Sequence, residues 1–236
     1  MATEQPQLFL LHFAGGNCYS FQFLKNIVPQ QISFLPLELP GRGRRIREAL
    51  LHDREAAVAD YMSQIRKLRN GQPFVVYGHS MGASLGLRVV QELEKLGDGP
   101  QALVVTGNAG PGAYEPRNRY RMNDEDFKSE LRKLGGAPEE VLSNAEMFEF
   151  FGRIMRADFE VVEKGPFPAA IDPVQCPIYA LMGDAEESAQ RIGNWQQMTQ
   201  AKAHTRLLPG NHFFINEHAN TLAQTLMQPY GLPVVY

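Results

Sequence analysis

A serine stands between two glycines in the stretch Val75-Val76-Tyr77-Gly78-His79-Ser80-Met81-Gly82, where an apolar run ends and a helical pattern begins. The motif Gly-x-Ser-x-Gly between a strand and a helix is typical of a nucleophilic serine on a sharp turn, where Gly78 and Gly82 let strand and helix approach each other. Three fixed positions match by chance in roughly one chain in ten of this length, so the flanking strand and helix give the motif its weight. Ser80 is therefore the predicted nucleophile.

A serine hydroxyl needs a base within hydrogen-bonding reach to become a nucleophile at neutral pH. His212 is one of six histidines and lies in a glycine-containing loop, residues 209–214, after the last predicted strand. The chain order nucleophile, acid, histidine is the one expected of α/β-hydrolases, so His212 is the predicted base. His79 neighbours Ser80 but should point in another direction, and His12 is expected to support the loop after the first strand.

Two carboxylates could orient the base. Asp184 and Glu186 both follow Gly183, at the end of the strand that precedes the histidine loop. The strand before that one ends in Thr106-Gly107-Asn108, which offers no carboxylate. The acid holds the imidazole in one tautomer and stabilises the imidazolium. It is expected to come from residues 184–187.

The first predicted strand ends at Ala14-Gly15-Gly16-Asn17. A glycine pair at this point lets backbone N–H groups face outward, although an ordinary tight turn is the simpler explanation. In hydrolases with a serine on such a turn, an early strand-to-helix loop and the residue after the nucleophile supply the oxyanion donors. Ala14 and Met81 are therefore the predicted donors.

Strand and helix patterns alternate along most of the chain, which predicts a mostly parallel sheet flanked by helices. The segment at about 111–166 carries three helical patterns and no strand-like run. We expect a single α/β-hydrolase domain over residues 1–236, with this segment as a helical lid above the active site. The alternative is a helical subdomain that has only a packing role. The apolar side chains of its third helical pattern could line an acyl pocket or belong to an ordinary hydrophobic core; they are Met147, Phe148, Phe151 and Met155.

Composition excludes several classes of protein. With 23 basic and 26 acidic residues, the net charge is −3, which argues against a nucleic-acid binder. Two cysteines form no disulfide framework and no metal pattern, which favours a reduced compartment. Neither a signal segment nor a run of about 20 apolar residues is evident. We expect a cytoplasmic protein that uses neither a membrane nor a metal.

Four arginines, at positions 42, 44, 45 and 47, form the densest basic cluster of the chain. The simpler interpretation is a solvated loop that pins neighbouring carboxylates. The functional alternative is a contact with an acidic partner or a phosphate.

Six motifs in order resemble the type II thioesterases that accompany nonribosomal peptide and polyketide synthases. Each motif is modest alone, but the series spans nearly the whole chain. The motifs are Phe13-Ala14-Gly15-Gly16, Leu39-Pro40-Gly41-Arg42, Gly78-His79-Ser80-Met81-Gly82, Leu134-Gly135-Gly136-Ala137-Pro138, Arg156-Ala157-Asp158-Phe159 and Pro209-Gly210-Asn211-His212-Phe213-Phe214.

The resemblance implies hydrolysis of acyl groups from the phosphopantetheine thiol of acyl- or peptidyl-carrier protein domains, which clears stalled assembly lines. It implies catalysis by serine, histidine and a carboxylate without a cofactor, and we expect a monomer. The medium-chain thioesterases of fatty acid synthesis look similar and are the nearest alternative.

This sequence departs from the family pattern at two points. Asn211 precedes His212 where the family usually has glycine, which is a tolerable loop change. The family's aspartate usually lies three residues after the glycine that ends the strand, and here that position is Glu186. We favour Asp184 over Glu186 as the acid, because the shorter side chain is the usual orienter and this loop looks about two residues short.

Three further hypotheses compete with the thioesterase. A serine esterase or an acyltransferase would keep the same catalytic residues and change the substrate or acceptor. A dinucleotide-binding module is disfavoured because the run Gly78-x-x-x-Gly82-x-x-x-Gly86 lacks the G-x-G-x-x-G pattern. An inactive partner-binding protein is disfavoured because serine, histidine and a candidate acid are all retained.

Overall fold

The computed structural model describes residues 4–113, 117–164 and 172–232. The strands in these residues are β1 (Gln7–Leu11), β2 (Ser33–Pro36), β3 (Phe74–His79), β4 (Ala102–Thr106), β5 (Ile178–Gly183) and β6 (Ala203–Leu208). They form one sheet in the order β2-β1-β3-β4-β5-β6, and every neighbouring pair is parallel. The carboxyl ends of the strands therefore lie along one edge of the sheet, where α/β proteins place their ligands.

Helices connect the strands. They are α1 (Arg54–Leu68), α2 (Met81–Lys95), α3 (Asp124–Leu134), α4 (Glu139–Ser143), α5 (Ala145–Glu163) and α6 (Ala219–Met227). Between β5 and β6, Trp195 lies in a 3₁₀ segment, Ala189–Met198. Helices α1 and α3 begin at N-cap residues. The side chains of Asp53 and Asn123 accept hydrogen bonds from backbone N–H groups in the first turns of these helices.

Strand side chains alternate between two hydrophobic layers, because successive residues of a strand point to opposite faces. In β1, Phe9 and Leu11 pack in the layer that contains α1 and α2, whereas Leu8 and Leu10 pack in the layer that contains α6. A parallel sheet that is covered on both faces needs such continuous apolar strands. The predicted α/β fold with a mostly parallel sheet is confirmed.

Between β4 and β5 lies the helical insertion, residues 117–164, which contains α3, α4 and α5. Two of the four side chains that could have lined an acyl pocket, Phe148 and Met155, belong to its hydrophobic core, while Met147 and Phe151 are exposed. The predicted end of the lid at Pro166 lies outside the described residues, and the lid function stays a prediction. The core of the insertion consists of Phe127, Leu131, Leu142, Phe148, Met155 and Phe159.

Two arginines of the arginine loop, Arg42 and Arg45, form ion pairs within the protein. Arg42 is buried against Asp158, and Arg45 binds both Glu48 and Asp60. The guanidinium of Arg44 instead lies over the ring of Tyr19, 5.5 Å from its centroid. Arg45 thus pins neighbouring carboxylates, as the simpler interpretation of this loop expected, whereas Arg42 is buried and not solvated.

Among the residues that the structure describes, no helix combines the length and the apolarity that a membrane span requires. The same residues contain no group of three or more histidine, cysteine or carboxylate side chains placed to hold a metal ion.

Candidate active site

Ser80 occupies the turn between β3 and α2. Its backbone conformation is one that non-glycine residues rarely adopt. Its dihedral angles are φ 56° and ψ −110°, a strained conformation for a non-glycine residue. The strain fits a turn that directs a serine side chain away from the sheet. A Cβ on Gly78 would lie 2.0 Å from the carbonyl oxygen of Gly82, and one on Gly82 would lie 2.2 Å from that of Leu11. Both glycines are thus required by close backbone packing, as predicted.

The first turn of α2 supplies one candidate oxyanion donor. Met81 is the first residue of the helix, and helix geometry leaves its N–H without an acceptor inside the helix. The N–H of Ser80 itself donates to the carbonyl of Thr106 at 2.8 Å. Asn108 donates to the carbonyl of Ser80 at 3.2 Å, which further fixes the turn.

The loop after β1 supplies the other candidate donor. The N–H of Gly15 donates to the carboxylate of Asp158 at 2.7 Å, and the N–H of Gly16 donates to the carbonyl of Phe13 at 2.9 Å. With these two amides engaged, the amide of Ala14 is the one left to serve as the predicted donor. This oxyanion loop, residues 14–16, follows the end of β1, which packs against the first turn of α2.

His212 lies beside the serine turn, although 132 positions separate it from Ser80 in the sequence. Its ring centroid is 4.9 Å from that of His79, the residue before Ser80. Its Cε1 is 3.1 Å from the position that a Cβ on Gly107 would take. Gly107 has φ +60°, so a side chain there would be strained and would displace both histidine rings.

Glu186 is the carboxylate that contacts His212. Its Oε2 lies 2.7 Å from Nδ1 of His212, while its Oε1 accepts the N–H of Gly183 at 3.0 Å. The exposed fractions of the two side chains are 14% for His212 and 8% for Glu186. A carboxylate held at both oxygens in a partly buried site can fix the orientation of the imidazole.

The preference for Asp184 as the partner of His212 is corrected by this arrangement. Asp184 is exposed, and its Oδ1 accepts the N–H of Gly210 at 3.0 Å. Its backbone continues the pairing of β5 with β6, because its N–H donates to the carbonyl of Leu208, the last residue of β6. Glu186 follows on a turn closed by its N–H and the carbonyl of Gly183, and this turn returns its side chain to the site.

Two residues beside the rings of His79 and His212, Thr106 and Phe213, were not predicted as site residues. Thr106 bonds Nδ1 of His79 through its hydroxyl at 2.8 Å, and the same hydroxyl pairs with that of Tyr77 at 3.0 Å. Phe213 meets the ring of His212 edge-on, with centroids 5.2 Å apart. Its position next to His212 was the available signal.

The helical insertion contacts several loops of the site. Met155 on α5 packs on Gly15, and Phe213 would lie 2.4 Å from a Cβ on Gly136, between α3 and α4. Arg117 also forms an ion pair with Glu187, next to Glu186. The insertion therefore lies against the edge of the sheet that holds Ser80 and His212.

Burial keeps the two other histidines near the site neutral. Burial, with a smaller effect of neighbouring His212, holds the pKa of His79 well below its ordinary value. Burial, aided by the charge of Arg42, lowers the pKa of His12 to about 4. His12 accepts the N–H of Leu39 at 3.3 Å, and its Nδ1 is 2.8 Å from the carbonyl of Phe13. His12 thus supports the loop after β1, as predicted.

Acidification should therefore destabilise the fold through His12. In the unfolded chain a histidine binds a proton below about pH 6.5, whereas folded His12 does so only near pH 4. Stability is consequently lost as the pH falls between these two values, by roughly 2 kcal/mol on going from pH 7 to pH 5. Urea unfolding of the unmodified protein and of His12→Gln at both pH values measures this difference.

His12→Gln should lose less stability on acidification than the unmodified protein, by about that amount. Because buried His79 contributes in the same direction in both proteins, the difference between them isolates His12. Equal losses in the two proteins would contradict the prediction.

Comparison with known proteins gives consistent matches along the chain. The family model described as "Thioesterase domain" matches residues 6–229. The gramicidin S biosynthesis protein GrsT of Aneurinibacillus migulanus is 33% identical over 221 residues, which are 92% of this chain and 85% of GrsT.

Two solved structures share the fold closely. ClbQ from the colibactin NRPS/PKS pathway has a TM-score of 0.87 and 29% identity, over 96% of this chain and 97% of ClbQ. RedJ, a thioesterase from the prodiginine pathway in Streptomyces coelicolor, has a TM-score of 0.87 and 27% identity, over 97% of this chain and 94% of RedJ.

Proposed function

The chain belongs to the thioesterase domain family, and from this premise we propose that it hydrolyses acyl groups from the phosphopantetheine thiol of carrier protein domains. The synthases served would be those of nonribosomal peptides or polyketides, because relatives such as GrsT and ClbQ are named for such pathways. The observation that carries the proposal is the contact of Glu186 with His212 beside the strained Ser80 turn.

In the acylation step, Nε2 of His212 takes the proton of Ser80 while the serine oxygen attacks the thioester carbonyl. For this, Nε2 must be unprotonated and Nδ1 must carry the hydrogen. The carboxylate of Glu186 accepts a hydrogen bond from Nδ1 and so selects that tautomer. The same carboxylate stabilises the imidazolium once the proton has moved.

The oxyanion that forms on the carbonyl oxygen receives hydrogen bonds from the N–H groups of Met81 and Ala14. Removal of one such donor typically costs about 3 kcal/mol of transition-state stabilisation. Both donors belong to backbone that is fixed before substrate binds, so little reorganisation is needed during the reaction.

The thiol then leaves and water completes the cycle. By analogy with cysteine, the leaving thiol has a pKa of about 8.5, so it departs with little proton assistance. His212 gives the proton that it took from Ser80 to the departing sulfur and becomes neutral again. A water molecule then gives a proton to His212 and attacks the acyl-serine, and His212 returns that proton to the oxygen of Ser80 as the free acid leaves. Every proton transfer in this scheme is made by residues of the chain, and none calls for a metal or a cofactor.

A panel of carrier proteins loaded with different acyl groups, analysed by intact mass, tests the proposal. The expected product is the carrier with its free phosphopantetheine thiol, together with the free acid. The panel should include a fatty acyl carrier protein with a medium-length chain, an acyl-coenzyme A and a simple aryl ester.

The outcomes separate the competing functions. Fastest turnover of the medium-chain fatty acyl carrier would favour a thioesterase of fatty acid synthesis instead. Turnover of the ester with intact acyl carriers would indicate a general esterase. Appearance of the acyl group on an added alcohol or amine would indicate an acyltransferase. Either of the last two results would reject the proposal.

A further inference from the structure

Arg42 and Asp158 form an ion pair that is almost fully removed from solvent. Nη1 of Arg42 lies 2.5 Å from Oδ2 of Asp158, and Nη2 lies 2.7 Å from Oδ1. The exposed fractions of the two side chains are 3% and 1%. Arg42 lies in the loop after β2 and Asp158 lies on α5, so the pair joins the sheet domain to the helical insertion.

The same carboxylate holds the oxyanion loop. Oδ2 of Asp158 accepts the N–H of Gly15 at 2.7 Å. Gly15 has φ +79°, and a Cβ on it would lie 2.8 Å from Cγ of Met155, which precedes Asp158 on α5. A charge-assisted hydrogen bond and close packing thus hold Gly15 against α5.

We propose that Asp158, itself held by Arg42, is a positioning residue that fixes the direction of the Ala14 N–H in the oxyanion hole. This inference rests on the proposed function. Ala14 is joined to Gly15 through planar peptides with two soft dihedrals per residue, so anchoring the Gly15 amide restricts the Ala14 amide. A displacement of about 1 Å in a catalytic group can cost about 10²-fold in rate.

Arg42 has a second effect, because it cancels the charge of this carboxylate. A bare carboxylate next to the oxyanion loop would repel the negative charge that develops on the substrate oxygen. It would also be costly to bury without its partner. Removal of Arg42 alone should therefore harm catalysis more than replacement of both members of the pair by neutral residues.

The test compares Asp158→Ala, Asp158→Asn, Arg42→Gln and the double variant Arg42→Gln/Asp158→Asn. A fluorophosphonate that labels Ser80 to completion counts the active sites, so that kcat is expressed per folded enzyme. An acyl-pantetheine trifluoromethyl ketone, which forms a tetrahedral adduct with the serine, reports on the oxyanion hole through its Ki.

Asp158→Ala is expected to lower kcat by roughly 10²-fold with little change in KM, and to raise the Ki of the ketone by a similar factor. Asp158→Asn, whose amide oxygen can still accept the N–H of Gly15, should lose less than about tenfold. The double variant should be more active than Arg42→Gln. Asp60→Asn is the matched control, because it breaks the Arg45–Asp60 ion pair of the same arginine loop and should leave kcat and Ki unchanged.

Normal kcat and Ki per active site in Asp158→Ala would overturn the inference, as would a rise in KM alone. If Asp158→Ala does not fold, the comparison of Arg42→Gln with the double variant tests the inference instead. Equal activity of these two variants would overturn the inference. A wild-type enzyme that hydrolyses no acyl carrier would reject the proposed function instead, so the two failures are distinguishable.

Discussion

Ser80→Ala is expected to lower kcat for thioester hydrolysis by about a million-fold, the loss that removal of a catalytic serine produces when serine, base and acid act as one unit. Without the hydroxyl, His212 has no nucleophile to activate, and the Met81 and Ala14 amides can assist only a slow direct attack by water. Release of free thiol from an acyl carrier, followed with a thiol-reactive dye, measures the effect.

Ser84→Ala is the matched control, since Ser84 lies one turn further along α2 and its hydroxyl accepts a hydrogen bond from Asn108. It should stay close to the activity of the unmodified enzyme. Thermal unfolding of Ser80→Ala should show a normal fold, because alanine adds no atoms. More than about one part in a hundred of residual activity, with the fold intact, would refute Ser80 as the nucleophile.

Glu186→Gln is expected to lower kcat by about 10³ to 10⁴-fold, whereas Asp184→Asn should change it little. A glutamine can keep its oxygen on the N–H of Gly183 and present its amide hydrogens to Nδ1 of His212. That arrangement places the imidazole hydrogen on Nε2, which can then no longer take the proton of Ser80. Both variants are assayed on the same acyl carrier under saturating conditions.

The Asp184→Asn variant is a fair control because the asparagine oxygen can still accept the N–H of Gly210. It removes one charge at a position two residues from Glu186, so it also tests whether charge alone near the base matters. A large loss in Asp184→Asn together with a mild loss in Glu186→Gln would reverse the assignment and show that the loop rearranges during catalysis.

The serine turn and the position of His212 beside it could be predicted because their signals are local. Ser80 lies between two glycines at a strand-to-helix junction, and backbone sterics impose that composition on such a turn. His212 follows the last strand, and a parallel sheet brings the ends of its strands to one edge. The alternation of strands and helices likewise predicted the sheet, since it depends on period and order alone.

The carboxylate that contacts His212 could not be chosen from sequence because two carboxylates lie within one short loop. The choice depends on which backbone amides that loop uses: Asp184 continues the pairing beside β6, while Glu186 turns back onto Gly183. Counting residues from Gly183 gives the position of Glu186 but not the direction of its side chain.

The ion pairs of the arginine loop could not be predicted from the sequence either. Arg42 finds its carboxylate on α5, 116 positions away along the chain. No short-range pattern says which of four neighbouring arginines will be the buried one. In the fold, the guanidinium of Arg42 also approaches the carbonyls of Pro40 and Gly16.

The separate hydrophobic core of the helical insertion has a consequence for how substrate reaches the serine. A segment with its own small core can open as a local cooperative unit while the hydrogen bonds of the sheet stay intact. The core joins α3 and α4 to both halves of α5, with Phe148 in the first half and Met155 and Phe159 in the second. Because Asp158 on the second half binds the N–H of Gly15, we expect any opening of the insertion to be transmitted to the loop of residues 14–16. Access to Ser80 and the position of those amides are therefore coupled.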